Sequence, residues 1–394
     1  MSDDTNPRLD FSAAAGTIPA TLRWRADAAL SSAQRSASDE LAAYLTASNP
    51  SVAPGGVLIA ENPTNAVEVS FGRLADAESA AVNLETIYDV ASVTKPVVTA
   101  SIILRALAAG RCRLDDRLSR WFPEYAQGDK AAVSIAHCLG HGSGLPDWRP
   151  FFQDGDVLQA VLAEPLIAPV GSVQLYSDLG YILLGAIAER LYQRPLDEIA
   201  RDQLFDPLSL GCGYRRISRF RDQPIPPNIA PTERCGWRGR RPHGEVHDEN
   251  AAALDGVAGH AGLFARASDL TSVGGAWLRA FKGERGLFEP ELVRQLWVEA
   301  PLYGSGSRRL GWDTITPGAD QSAAGHYLTT ASVGHLGFTG CSIWIDPSTE
   351  TIVVLLTNRV YHGRDNLTIK PFRRRVHDLV ARAIGYRERR ADTL

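Results

Sequence analysis

The chain has 394 residues, 44% apolar and 8% aromatic, enough to bury one large core or two subdomain cores, which excludes general disorder. Its 41 basic and 45 acidic residues leave a formal charge of −4, without the dominant basic field of a nucleic-acid or membrane-surface binder. Five scattered cysteines (Cys112, Cys138, Cys212, Cys235, Cys341), with no CxxC pair, read as buried small apolar residues and suit a reducing compartment.

In chain order, residues 1–25 are polar and Ala/Ser/Thr-rich and are expected to form a flexible N-terminal arm. Acidic residues stand where an export signal needs positive ones, and no apolar run reaches roughly 18 residues, so the expected location is the cytoplasm, with no membrane partner. "SASDELAAYLTAS" has helical periodicity; "GVLIA" and "AVEVSFG" follow as strands separated by the turn-former "ENPTN". From about 93 to 210 the pattern is mainly helical, in "VVTASIILRALAAG", "SIAHCLGHG", "DVLQAVLAE", "LGYILLGAIAERL" and "LDEIARDQLF". Residues 222–256, rich in Pro, Gly, Arg and His, read as a long ordered loop, a feature more often functional than accidental. "CSIWIDPSTETIVVLLTN" is a hairpin, and "PFRRRVHDLVARAI" closes as an amphipathic helix.

Strands at both ends with helices between them predict an α+β fold: one antiparallel sheet built from N- and C-terminal segments, flanked by helices, with an all-helical inserted subdomain. The expected division is a single catalytic domain over 26–390. Its α/β lobe comes from about 26–92 and 255–390, and its helical and loop insertion spans about 93–254.

Within "DVASVTKPVV", Ser92 and Lys95 are three residues apart, which on a helix puts both side chains on one face, about 5–6 Å apart at Cβ. Serine is a weak nucleophile until a neighbouring base takes its proton. Only four basic residues are lysines, Lys95, Lys130, Lys282 and Lys370, so a lysine here suggests a need for an amine that can deprotonate. The alternative reading is a helix capped by Ser92, with Lys95 reaching to solvent. Pro96 has no N–H and disfavours the α region for Lys95, so Ser92 is expected at the mouth of the helix, with a tight or irregular first turn. Downstream, "LYSDLGYILLGAIAERL" places Tyr176 and Asp178 at a helix start; alone they would read as a core lid and an N-cap. "GHLGFTG", residues 334–340, allows close backbone approach at a strand edge and holds one polar side chain, His335, before the hairpin.

Together, S-x-x-K, Y-x-[N/D] about 80 residues later and [K/H]-x-G before a C-terminal hairpin resemble the serine β-lactamase and penicillin-binding-protein superfamily. Their order and the tyrosine look like its class C branch, which includes family VIII carboxylesterases; "HGSGLPDW" and "GVAGHAGLFA" look like family loops. The resemblance implies Ser92 as the acylated nucleophile, Lys95 and Tyr176 sharing the general-base work, and the backbone N–H groups of Ser92 and Phe338 as the oxyanion hole. His335 would stand where many relatives carry lysine, and it is followed by Leu336 where they carry Thr or Ser. That departure weakens any grip on a substrate carboxylate. Asp178 replaces the commoner Asn, and a carboxylate there favours an ammonium at Lys95.

In the 222–256 loop and beyond it, His247, Asp248 and His260 are expected to hold a segment beside the cleft through hydrogen bonds. The residue types around them lack an H-E-x-x-H pattern or a second clean ligand pair, so no metal and no cofactor are expected. Neither G-x-S-x-G nor G-x-G-x-x-G occurs, against an α/β-hydrolase elbow or a dinucleotide site. The expected function is a serine hydrolase forming an acyl-enzyme on Ser92, acting as an esterase or amidase on a small-molecule ester or amide. Transfer of the acyl group to an amine or alcohol is a close variant. The alternatives are a β-lactamase or D,D-peptidase, and a catalytically silent binding protein on the same fold.

Overall fold

The computed structural model describes residues 18–26, 29–153, 155–299, 303–304, 306, 308–315 and 322–386. Its main sheet has seven strands in the order β1-β3-β2-β10-β9-β8-β7, every neighbouring pair antiparallel. These are β1 (Thr21–Ala26), β2 (Gly55–Glu61), β3 (Asn65–Gly72), β7 (Asp313–Thr314), β8 (Val333–Leu336), β9 (Ser342–Asp346) and β10 (Thr351–Thr357). The N-terminal hairpin meets the C-terminal one where β2 pairs with β10, Leu58 opposite Leu355. The segment expected as an arm therefore ends earlier than residue 25: Thr21–Ala26 is an edge strand, with Leu22 and Trp24 packed against the core. Residues 1–17 of that expectation lie outside the described residues.

The helices are α1 (Ser32–Ser48), α2 (Ser101–Ala108), α3 (Ile135–Leu139), α4 (Val157–Ala163), α5 (Asp178–Tyr192) and α6 (Leu196–Ala200), then α7 (Ile217–Phe220), α8 (Glu249–Ala253), α9 (Ala267–Phe281), α10 (Pro290–Arg294) and α11 (Ile369–Ala383). The period-two alternation of the strands decides what lies on each face of the sheet. Leu58, Ala60, Val353 and Leu355 point to the layer of α1 and α11, where Leu41, Leu45, Phe372 and Val376 bury them. Val57, Ile59, Ile343, Ile345 and Val354 point the other way, into the core shared with α2, α5 and α9. Truncating one such fully buried leucine, Leu355→Ala, costs about 2–5 kcal/mol on the usual scale for core leucines. Stretch 91–108 has the length and apolarity to cross a membrane, but most of it is buried inside the fold.

A second, three-stranded sheet has the order β4-β6-β5, from β4 (Tyr88–Asp89), β5 (Gly213–Tyr214) and β6 (Leu263–Ala265). The insertion is thus not wholly helical: it contributes β5, which pairs with β6 in this small sheet. This small sheet also ties the residues just before Ser92 to those just after His260, with Asp89 opposite Phe264.

Candidate active site

Ser92 lies at the entry to its helix, with strand β4 rather than a regular helix directly before it. Residues 91–93 form a tight 3-10 turn, 95–100 a wide π-type turn, and only then does α2 begin. The cause is Pro96, which cannot donate to the Ser92 carbonyl, so the first turns depart from α geometry. Ala91 is held at φ +48°, a left-handed conformation costing about 1–2 kcal/mol in a non-glycine residue. The buried Asp89 carboxylate offsets it by accepting the Ala91 N–H at 2.8 Å and the His247 N–H at 2.6 Å. Burial still raises the Asp89 pKa, against those two bonds. Ser92 does not cap the helix, since the N-cap is Val90 without a side-chain bond, and Lys95 does not reach solvent.

Lys95 is completely buried, and its ammonium meets three oxygens: Asp178 Oδ1 at 2.7 Å, Ser92 Oγ at 3.0 Å and the His260 carbonyl at 3.1 Å. Burial alone would lower its pKa; Asp178 and Tyr176 outweigh burial and raise it, so Lys95 is charged. Tyr176, half-buried, has its ring centroid 4.9 Å from Lys95 Nζ, and Lys95 and Ser92 both act on its phenol. Burial raises the Tyr176 pKa, and the Lys95 charge only partly opposes this, so the resting phenol keeps its proton. Asp178 opens α5 but is not its cap: Ser177 is, accepting the Gly180 N–H at 3.3 Å. That frees the Asp178 carboxylate to face the lysine.

His335, on β8, is buried with its ring 6.0 Å from the Tyr176 ring. Burial, Lys95 and Arg308 all push its pKa well below the usual histidine value, so it is neutral. Phe338 follows in the turn 337–341, with its side chain 47% exposed. Gly337 packs so closely on Val90 that a Cβ would come within 2.3 Å of the Val90 carbonyl oxygen. Among the described residues, neither the Ser92 N–H nor the Phe338 N–H donates to a backbone acceptor.

The 222–256 loop is docked by ion pairs. His247 Nε2 lies 2.6 Å from Glu233, and Arg364 bridges Glu233 and Glu249, each at 2.8 Å. The His247 ring stacks on Phe338 at 5.5 Å, so this loop forms one side of the cleft. His260 Nε2 lies 2.8 Å from Asp248 Oδ1; burial works to raise the Asp248 pKa, but the His260 pairing dominates and holds it far below the carboxylate range. Ligand atoms of Asp178, Asp248 and His260 lie within 4.8 Å of one another, the donor types of a cation site. Here each already has a partner, the ammonium for Asp178 and each other for Asp248 and His260.

Three residues beside the site escaped the sequence reading. His141, at φ +60°, lies with its ring tilted 4.7 Å from that of Tyr176; burial pushes its pKa well below the usual histidine value, and it accepts the Ser177 N–H on Nδ1 at 3.0 Å, which puts the neutral ring's proton on Nε2. It stands first in "HGSGLPDW", but nothing in that segment points to a ring beneath Tyr176. The Arg308 guanidinium sits 4.9 Å from the Tyr176 ring centroid and 3.2 Å from Asp313. Its backbone N–H and carbonyl are both held by the Gln174 amide, two residues before Tyr176. Arg373, discussed below, lies 281 positions from Ser92, beyond the reach of any local pattern.

With this geometry in view, the chain can be compared with known proteins. A putative D-alanyl-D-alanine carboxypeptidase of Escherichia coli (strain K12) is 30% identical over 312 residues, covering 70% of this chain and 69% of that protein. An N-acetylmuramyl-L-alanine amidase of Bacillus subtilis (strain 168) is 29% identical over 309 residues, 71% of this chain and 69% of that one. Among solved structures, EstCE1, a hydrolase with promiscuous acyltransferase activity, superposes with a TM-score of 0.68 at 22% identity, covering 89% of this chain and 100% of the other. Residues 26–377 match the Beta-lactamase family, and the chain belongs to that family, within the serine β-lactamase and penicillin-binding-protein superfamily.

Proposed function

We propose that the protein is a serine acyl-hydrolase that forms an acyl-enzyme on Ser92 from a small ester or amide. The observation carrying this reading is the Lys95 ammonium, buried and bonded at once to Ser92 Oγ at 3.0 Å and Asp178 at 2.7 Å. In the resting site Lys95, Tyr176 and Ser92 all hold their protons, so one must leave before attack. Tyr176 gives it up to bulk water, leaving a phenolate stabilised by the ammonium beside it. Ser92 Oγ then bonds to the substrate carbonyl carbon while Tyr176 Oη takes the hydroxyl proton. The oxyanion is received by the N–H groups of Ser92 and Phe338. Collapse breaks the bond to the leaving oxygen or nitrogen, which receives the proton from Tyr176. Water repeats the sequence on the acyl-enzyme, releasing the acid and freeing Ser92.

The neutral His335 and the apolar Leu336 support substrates lacking a carboxylate at that wall. A second reading has one observation behind it: Arg308 brings a guanidinium to the Tyr176 ring, a cation able to meet a carboxylate. With it, a carboxypeptidase acting on a D-alanyl-D-alanine terminus, as the name of the E. coli relative describes, becomes the runner-up. Transfer of the acyl group to an amine or alcohol, in line with the EstCE1 description, differs only in the acceptor.

The test is to react the purified protein with a fluorophosphonate probe and with short-chain p-nitrophenyl esters and anilides, beside Ser92→Ala. Labelling and turnover should both vanish in the variant. Turnover that persists in Ser92→Ala would sink the acyl-enzyme reading, and release of D-alanine from a D-alanyl-D-alanine peptide faster than ester cleavage would promote the second one.

A further inference from the structure

Arg373, on α11, is buried, 6% exposed, and it sits on the face of the sheet opposite the core that holds Lys95. Its Nη2 donates to the Gly337 carbonyl at 2.7 Å and the Cys341 carbonyl at 2.8 Å. No ion pair joins it to a carboxylate among the described residues, and its buried Nε has no hydrogen-bond partner there; burial lowers its pKa to about 10. A buried guanidinium facing only carbonyls is a costly way to brace a turn, because a neutral donor could make the same bonds without desolvating a charge.

The bond to Gly337 has a consequence one atom further along the chain. The only cis peptide among the described residues is Asn49–Pro50, so Gly337–Phe338 is trans. In a trans unit the C=O and N–H point in opposite directions. The Gly337 carbonyl accepts from Arg373 on α11 and, at 3.1 Å, from the Gly340 N–H of its own turn, so the Phe338 N–H faces away from both donors. A cation on the carbonyl also polarises the whole amide, which strengthens its N–H as a donor.

We propose that Arg373 is a positioning residue of the oxyanion hole, orienting and polarising the Gly337–Phe338 peptide so that the Phe338 N–H meets the developing negative charge. The proposal rests on the acyl-enzyme reading of Ser92. The neighbouring arginine provides an internal comparison: Arg359 Nε donates to the Phe338 carbonyl at 2.8 Å, which belongs to the next peptide unit and does not carry the donor N–H.

The experiment compares Arg373→Met, Arg373→Lys and Arg359→Met with the wild type, each checked for folding by circular dichroism and thermal melting. Two quantities are read: kcat and KM on a p-nitrophenyl ester, and the affinity of an arylboronic acid whose tetrahedral adduct on Ser92 presents an oxygen to the oxyanion hole. Removing a whole oxyanion donor typically costs 10²–10³ in rate, so weakening one by Arg373→Met should lower kcat about 10- to 100-fold. Boronate affinity should fall by a similar factor, and KM should stay within about threefold. Arg373→Lys should lie between it and the wild type, and Arg359→Met should lose less kcat than Arg373→Met. A folded Arg373→Met that keeps kcat and boronate affinity within twofold, or loses only in KM, overturns the proposal; where Arg373→Met does not fold, Arg373→Lys decides by the same criterion. Failure of both to fold also overturns it, in favour of a structural brace. Fluorophosphonate labelling of the wild type separates the two ideas: without it the acyl-enzyme reading falls first, and with it a negative result falls on Arg373 alone.

Discussion

On the helical wall of the cleft, Lys95 is fully buried and charged; on the strand wall, His335 is 3% exposed and neutral. Burial acts against the charged form of both. The difference lies in what each side chain faces. Lys95 has a carboxylate at 2.7 Å, and this attraction outweighs desolvation. His335 has a backbone carbonyl at 2.9 Å, while Lys95 and Arg308 add positive fields to the effect of burial. One wall therefore keeps a permanent charge next to Ser92, and the other presents a neutral ring and a leucine. On the proposed reading, the chemistry is concentrated where Asp178 stands, and the selectivity follows from where no acid stands.

The largest effects should come from breaking the charged wall. Tyr176→Phe removes the group proposed to relay the proton, and kcat should fall about 10²- to 10⁴-fold with Ser92 still in place. Lys95→Met should cost as much and destabilise the fold as well, because Asp178 is left facing an apolar chain; a denaturation midpoint measured beside kcat separates the two losses. Asp178→Asn is the sharper test. Asp178 raises the pKa of both Lys95 and Tyr176, so its removal lowers both. Whichever of them releases the proton, the rising limb of the kcat/KM profile should move to lower pH, while the plateau falls about 10- to 100-fold as Lys95 loses its anchor. A limb that stays in place would mean that neither Lys95 nor Tyr176 controls the ionisation of Ser92.

The two walls were not equally legible in the sequence. Ser92, Lys95 and Pro96 are neighbours, so spacing and proline chemistry alone place Ser92 at an irregular helix mouth, and the structure has it there. The strands were visible through alternation, as in β9 and β10. Asp178 alone reads as a cap, and only the motifs taken together direct its carboxylate to Lys95, where the structure has it; Ser177, one position earlier, is the cap. The missing pieces, His141, Arg308 and Arg373, are single polar residues whose meaning depends on partners far along the chain. No periodicity marks them, and only the fold shows that His141 lies under Tyr176 or that Arg373 reaches the turn after β8. The edge strand Thr21–Ala26 was missed for another reason: its alternating exposure is masked by polar residues upstream.

The strand wall yields the smaller effects. His335→Lys combined with Leu336→Thr should favour a carboxylate-bearing ester over its neutral counterpart by up to about tenfold in kcat/KM, since a charged hydrogen bond is worth roughly 1.5–3 kcal/mol and Lys95 and Arg308 oppose part of the new charge. The smallest effect belongs to His335→Gln. If His335 is neutral throughout the working range, its removal should leave kcat and KM for a neutral ester within about threefold and should not change the shape of the profile between pH 5 and 8. Stability should respond instead. The folded pKa of His335 lies well below 6.5, so the unfolded chain takes up a proton first as the pH falls through that value. The wild type therefore loses stability below about pH 6.5, whereas His335→Gln lacks this contribution. Urea midpoints at pH 7 and pH 5 should show the variant losing less on acidification than the wild type. Equal losses, together with an inflection near neutrality that disappears in His335→Gln, would mean that the ring charges during turnover and that the strand wall is not neutral.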